Sequence, residues 1–145
     1  MKLLVVNGPS INMLGIREKH IYGEESFKTL LERIKAHALE IGVEVETYQS
    51  NHEGDLIDAI QQSYFDHVDG IIINPGAYTH TSIALLDALK SVDIPYVEVH
   101  ISDIREREDF RQISYAGMAC VKTFMGLGFE GYRQAILFLK DHLSK

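Results

Sequence analysis

Glu98 and His100 stand two apart in VEVHIS, and Arg17 and Tyr22 share the stretch NGPSINMLGIREKHIYGEE. Residues two apart on a strand point to the same face, so an extended 96–101 makes Glu98 and His100 neighbours. A carboxylate beside an imidazole favours the protonated ring, the form that serves as a general acid. The second pair suggests the complementary tool. A tyrosine phenol titrates near pH 10, so ionising one at neutral pH costs about 4 kcal/mol. A guanidinium in contact recovers roughly one to three pH units of that, which makes tyrosinate an accessible general base. Each pair also has a plainer reading: a hydrogen-bonded couple at a strand end, and an exposed tyrosine in a solvated loop.

Two further stretches carry more polar chemistry than a connection needs. IIINPGAYTHTS leaves an apolar run through Asn74, a Pro-Gly pair and Thr79-His80-Thr81 before a helical pattern starts. Those residues can cap the helix, and a helix start also binds anions, so a cap and a carboxylate site are compatible. REREDFR, residues 105–111, reads as a charged, solvated helical turn, or as the source of an arginine facing an anionic ligand. His80 with Glu98 and His100 would be a metal set, but no HExxH-type spacing supports it, and no metal is expected.

The elements that must hold these residues follow from periodicity. Strand-like runs lie at 3–7, 43–49, 70–74, 96–101 and 119–125, with helix-period segments between them. Ser26 can cap the first helix, whose stripe of Phe27, Leu30, Leu31, Ile34, Ala38 and Ile41 ends at Gly42. DLIDAIQQSYF and SIALLDALKSV are the second and third. Phe129, Tyr132, Ile136, Leu139 and Leu143 mark the last. Five strands alternating with helices predict an α/β fold: one doubly wound parallel sheet of flavodoxin-like order 2-1-3-4-5, as a single domain over 1–145. In such sheets ligands bind beyond the carboxyl ends of the strands, where the connections after the first four strands, including SNHEGD after the second, carry Asn, His, Arg and Ser. The 8–24 connection is far longer than the usual two to six residues, which suggests a lid.

Composition narrows the class. The 145 residues are 46% apolar and 24% charged, an ordinary globular balance. A formal charge of −7 without a basic stripe argues against a nucleic-acid partner. Cys120 is the single cysteine, which excludes an internal disulfide and reads as a small core residue on the last strand. No apolar run approaches the ~20 residues of a membrane span, and MKLLVVNGPS reads as a first strand rather than a leader, so the cytoplasm is the expected location. A flavodoxin would want a hydroxyl-rich phosphate loop after strand 1, a receiver domain acidic residues where Asn7 and Asn74 stand, and a dinucleotide binder a GxGxxG run. None is present.

NGPSINMLGIREKHIYG, QSNHEGDLIDAI, INPGAYTHTS, VEVHIS, REDFRQIS and GLGFEGYRQAI occur in order across the whole chain. Together they resemble the type II 3-dehydroquinate dehydratases. The resemblance implies cofactor-free elimination of water from 3-dehydroquinate, giving 3-dehydroshikimate, with Tyr22 as base and Arg17 lowering its pKa. It implies His100 as the acid, Glu98 orienting it, and Asn74, His80, Arg111, Ile101 and Ser102 as substrate contacts, with Asn12 and Ser10 completing the set. Asp87 matches an aspartate that reaches a neighbouring subunit's site, in a dodecamer built as four trimers. Three positions depart from the family pattern. Ser10 stands where GPNLN has Asn, Asp103 replaces an Asn after HIS, and FRQIS replaces FRHHS. They keep open a second reading, a non-catalytic or altered-substrate paralogue that binds a small hydroxy-acid.

Overall fold

The computed structural model describes residues 1–145. At its centre lie five parallel strands, β1 (Lys2–Asn7), β2 (Glu44–Gln49), β3 (Gly70–Asn74), β4 (Tyr96–His100) and β5 (Lys122–Met125), in the order β2-β1-β3-β4-β5. That is the predicted flavodoxin-like order. β3 and β4 are buried throughout and β1 nearly so, because interior parallel strands are covered on both faces. β2, at an edge, alternates between exposed and half-buried residues.

The five helices are α1 (Lys19–Tyr22), a single turn inside the first connection, then α2 (Phe27–Glu40), α3 (Glu53–Phe65), α4 (Ile83–Val92) and α5 (Glu130–Leu143). The two-residue period of the strands divides the core between two faces. Leu3, Val5, Ile72, Val97 and Val99 pack with Leu30, Ile34, Ile136 and Leu139 of α2 and α5. Leu4, Val6, Ile71 and Ile73 pack with Leu56, Ile60, Leu85 and Leu89 of α3 and α4. Each fully buried Leu or Ile contributes about 1.5–3 kcal/mol of transfer free energy. Ser26 caps α2 by accepting the Thr29 N–H at 3.2 Å, and Ser82 caps α4 by accepting the Leu85 N–H at 2.9 Å. Caps of this kind are worth about 1 kcal/mol each. No helix is long and apolar enough to cross a membrane.

β1 and β3 end in register, Asn7 beside Asn74, and the chain leaves them in opposite directions across the sheet. The two exits touch backbone to backbone. The Gly8 N–H donates to the Asn74 carbonyl at 2.7 Å, and a Cβ on Gly8 would lie 2.4 Å from the Pro75 oxygen. No side chain fits between them.

Three expectations need correction. The last strand starts at Lys122, not 119; residues 116–119 form a 3-10 turn instead. Cys120 therefore precedes the strand, half-buried, with its Sγ 3.1 Å from the Gly117 carbonyl. REREDFR is not one helical turn but parts of two 3-10 turns, Ile104–Glu106 and Asp109–Arg111, with Arg107 and Glu108 extended between them.

Candidate active site

A cavity of about 120 Å³ opens over the carboxyl ends of β1, β3 and β4. Its wall on one side comes from the first connection and the 101–111 segment. Tyr22 ends α1, half-buried, and Gly23 follows it at φ 85, a left-handed exit that glycine permits. The Arg17 guanidinium carbon lies 3.9 Å from the centre of the Tyr22 ring, within cation–π range. Arg107 Nη1 donates to the Tyr22 oxygen at 3.0 Å and to Ser102 Oγ at 3.3 Å. With 12% of its side chain exposed, Arg107 is a nearly buried cation. Burial opposes its charge, yet the hydrogen bond and charge interaction with Tyr22, aided by Glu108 and Glu18, hold its pKa above the usual arginine value. One phenol thus carries a guanidinium on its face and another on its oxygen.

The other wall is built on β4. His100 Nε2 and Glu98 Oε1 are 2.5 Å apart, and both residues are buried. The same carboxylate receives the Ser114 hydroxyl, 2.9 Å from both oxygens, and the Thr79 hydroxyl at 3.3 Å. Burial by itself pushes the Glu98 pKa up. The bond and charge of His100, then the bonds of Ser114 and Thr79, outweigh burial and hold it below the ordinary carboxylate range. A carboxylate that accepts this many bonds is an anion at neutral pH. The bond from Nε2 leaves His100 Nδ1 without a protein partner, on a residue that lines the cavity.

The floor is polar and fixed. Asn74 Nδ2 donates to the hydroxyl of Tyr132, which donates in turn to Asn7 Oδ1 at 2.6 Å. Asn74 Oδ1 accepts the Gly76 N–H, so the amide orientation is set at both ends. Burial keeps the Tyr132 phenol protonated, its pKa raised. His80 Nδ1 donates to the Ile113 carbonyl at 2.8 Å, which leaves Nε2 as the ring nitrogen with no protein bond. Burial is the main reason its pKa is lowered, only partly offset by that bond, so the ring is neutral near pH 7. Arg111 reaches the cavity while pairing with Glu108 at 2.7 Å.

The cavity therefore gathers Arg17, Tyr22, Asn74, His80, His100 and Arg111, together with Ile101, Ser102 and Ser10. Glu98 stands behind His100 rather than at the surface. One expected contact does not line it: Asn12 is exposed and accepts from Gln49 Nε2 at 3.3 Å. Asp87, expected at a neighbouring subunit's site, is exposed on α4. The departures have local accounts. Ser10 sits at φ 68, a left-handed conformation that asparagine tolerates better than serine. Asp103 turns to Arg105, with contacts of 2.9 and 2.7 Å. Gln112 ties down the preceding segment by donating to the Ile104 carbonyl at 2.8 Å.

Sequence reasoning missed Arg107, Ser114 and the polar use of Tyr132, and it read Thr79 as part of a helix cap or anion site rather than as a partner of Glu98. The charged run offers three arginines of equal rank, and only the bend between two 3-10 turns selects Arg107. A larger cavity, about 260 Å³, lies between α2 and α5. Its buried His37 has two unpartnered ring nitrogens, both sealed from solvent, and burial lowers its pKa. Size and chemistry do not coincide here.

A doubly wound sheet whose switch point carries a phenol held by guanidiniums and an imidazole backed by a buried carboxylate has the groups of an acid–base enzyme site rather than of a nucleotide cradle. The family model described as dehydroquinase class II matches residues 1–140, and the chain belongs to that family. It is 55% identical over 145 residues, the full length of both chains, to the 3-dehydroquinate dehydratase of Clostridium acetobutylicum. It is also similar to the crystal structure of type II dehydroquinase from Butyrivibrio crossotus, with a TM-score of 0.95, 53% identity and 97% of each chain covered. The type II dehydroquinase of Propionibacterium acnes gives a TM-score of 0.90 at 37% identity, covering 99% of this chain and 97% of the other.

Proposed function

We propose that this chain is a 3-dehydroquinate dehydratase of the type II class, a carbon–oxygen lyase that forms 3-dehydroshikimate through an enolate in the shikimate pathway. Family membership carries the reaction. The observation that carries the mechanism is the pairing, in one cavity, of a phenol held by two guanidiniums with an imidazole backed by a buried carboxylate.

Tyr22 as phenolate removes the proton next to the ketone, and the charge of Arg107 and Arg17 stabilises that phenolate. The electron pair moves into the ketone, forming an enolate, and returns to expel the hydroxyl group on the far side. His100 gives its Nδ1 proton to the departing oxygen, which leaves as water. Glu98 stabilises the imidazolium before transfer and holds Nε2–H afterwards. Asn74, His80, Arg111, Ile101 and Ser102 bind the carboxylate and hydroxyls of the substrate. Ser10 acts on the enolate through a bridging water, since its side chain is short. No step requires a cofactor.

Residues 1–145 work as one catalytic domain in the cytoplasm. Several copies assemble into a closed homo-oligomer, a dodecamer of four trimers, in which Asp87 serves a neighbouring site. The exposure of Asp87 on α4, and of the apolar side chains Ile83, Phe110, Ile113 and Met118 around it and the rim, supports this assembly. Mixing the protein with 3-dehydroquinate should raise the absorbance of the conjugated enone product. A flat trace with saturable binding would assign the chain to the non-catalytic paralogues instead.

A further inference from the structure

Glu98 is 1% exposed, and no lysine or arginine reaches it; its only ionic partner is His100. A buried carboxylate with one titratable partner has two ways to hold a single proton. The pair can be carboxylate with imidazolium, or carboxylic acid with neutral imidazole, and a low-dielectric site favours the neutral form unless donors hold the anion. Those donors are identifiable. Ser114 Oγ accepts the Gly117 N–H at 3.0 Å, so its one proton is free for Glu98, which it meets at 2.9 Å from each oxygen. Thr79 Oγ1 lies 3.0 Å from Ser114 Oγ and 3.3 Å from Glu98 Oε1. Gly117 completes the enclosure, because a Cβ there would stand 2.1 Å from Glu98 Oε2. The other titratable groups nearby are Tyr96, Cys120 and His80; none of them donates to the carboxylate.

We propose that Ser114, assisted by Thr79, is a positioning residue that keeps Glu98 anionic and thereby keeps the shared proton on His100. The inference rests on the dehydratase reading for its kinetic consequence, not for its electrostatic one. With the hydroxyl in place, His100 presents an imidazolium Nδ1–H to the departing oxygen. Without it, the proton shifts along the short bond to Glu98, and the remaining neutral imidazole is a poor acid. The count of protons is the same in both states; only their place differs. Ser114 does not line the cavity, so substrate binding is unaffected.

The test has two arms. In ligand-free protein labelled with ¹⁵N-histidine, the acid-side spectrum of His100 should show both ring nitrogens protonated in the parent chain. Ser114→Ala should lose much of that imidazolium signal, and Ser114→Thr, which keeps the hydroxyl, should retain it. With 3-dehydroquinate, Ser114→Ala should lower kcat about tenfold to a hundredfold, the worth of one hydrogen bond to a charged group, with KM within about twofold. Thr79→Val, close in shape, should move both readouts the same way by less, and serves if Ser114→Ala does not fold. An unchanged imidazolium signal, or a kcat within about threefold of the parent, overturns the proposal. A parent protein without turnover overturns the dehydratase reading alone, since the spectra decide the clamp without substrate.

Discussion

The two walls of the cavity are built on opposite principles. His100 and Glu98 belong to β4, buried along its length, and hydroxyls from two other segments hold the carboxylate. Tyr22 belongs to a four-residue helix in a long connection, is half-exposed, and is held by two arginines and by packing against the edge of the first core. In the proposed mechanism the acid keeps a proton in one place while buried, and strand backbone with neutral donors suits that. The proposed base loses a proton beside the substrate, and a loop with cations suits that. Neutral donors serve one wall and charge the other.

Tyr22→Phe breaks the comparison most completely. It removes the base and leaves the acid wall untouched, so kcat should fall about 10²- to 10⁴-fold while binding of a product analogue persists. Gly117→Ala attacks the other wall. The added methyl must push Glu98 aside, and a shift near 1 Å should lower kcat about a hundredfold, with circular dichroism unchanged. Hydrogen exchange sharpens the contrast: an anionic substrate analogue should slow exchange across 8–24 several-fold and leave β4 as it was. Equal slowing in both would mean that the first connection is no lid.

Smaller effects follow. Ser10→Asn should relieve a left-handed serine by about 1 kcal/mol and raise the melting temperature by about 3 °C. Its kcat should change by less than about tenfold if a bridging water already serves the enolate. The smallest is a slope in acid. Glu98 has a lowered pKa in the fold, so its contribution is present above its ordinary value of 4.5 and lost as pH falls through the lower folded value. Urea midpoints below pH 4.5 should therefore fall more steeply in the parent than in Glu98→Gln.

Much of this was legible in the sequence. Hydrophobic period alone located the five strands and four long helices, since interior parallel strands and amphipathic helices leave strong patterns. The Glu98–His100 pair followed from strand geometry, because a period of two has no freedom. What failed were places where backbone shape is set by tertiary contact. The 3-10 turns around Arg107 have no periodic signature, and neither has α1. Ser114 reads as an ordinary loop hydroxyl and Thr79 as a helix cap, since their meaning comes from a carboxylate many residues away. Asn12 and Asp87 came from resemblance; Asn12 lies outside the cavity, and the role expected of Asp87 belongs to a neighbouring subunit's site.

The Tyr132 hydroxyl that joins Asn7 to Asn74 bears on how the enzyme comes into being. Every side chain lining the cavity lies between Pro9 and Arg111, so all of them emerge from the ribosome before Tyr132 does. Until α5 is synthesised and docks, the two asparagines at the switch point lack their common partner, and the first core lacks Ile136 and Leu139. A nascent chain can thus carry every lining residue before the bond that fixes Asn7 and Asn74 exists. The floor of the cavity is finished by a helix that contributes none of its walls.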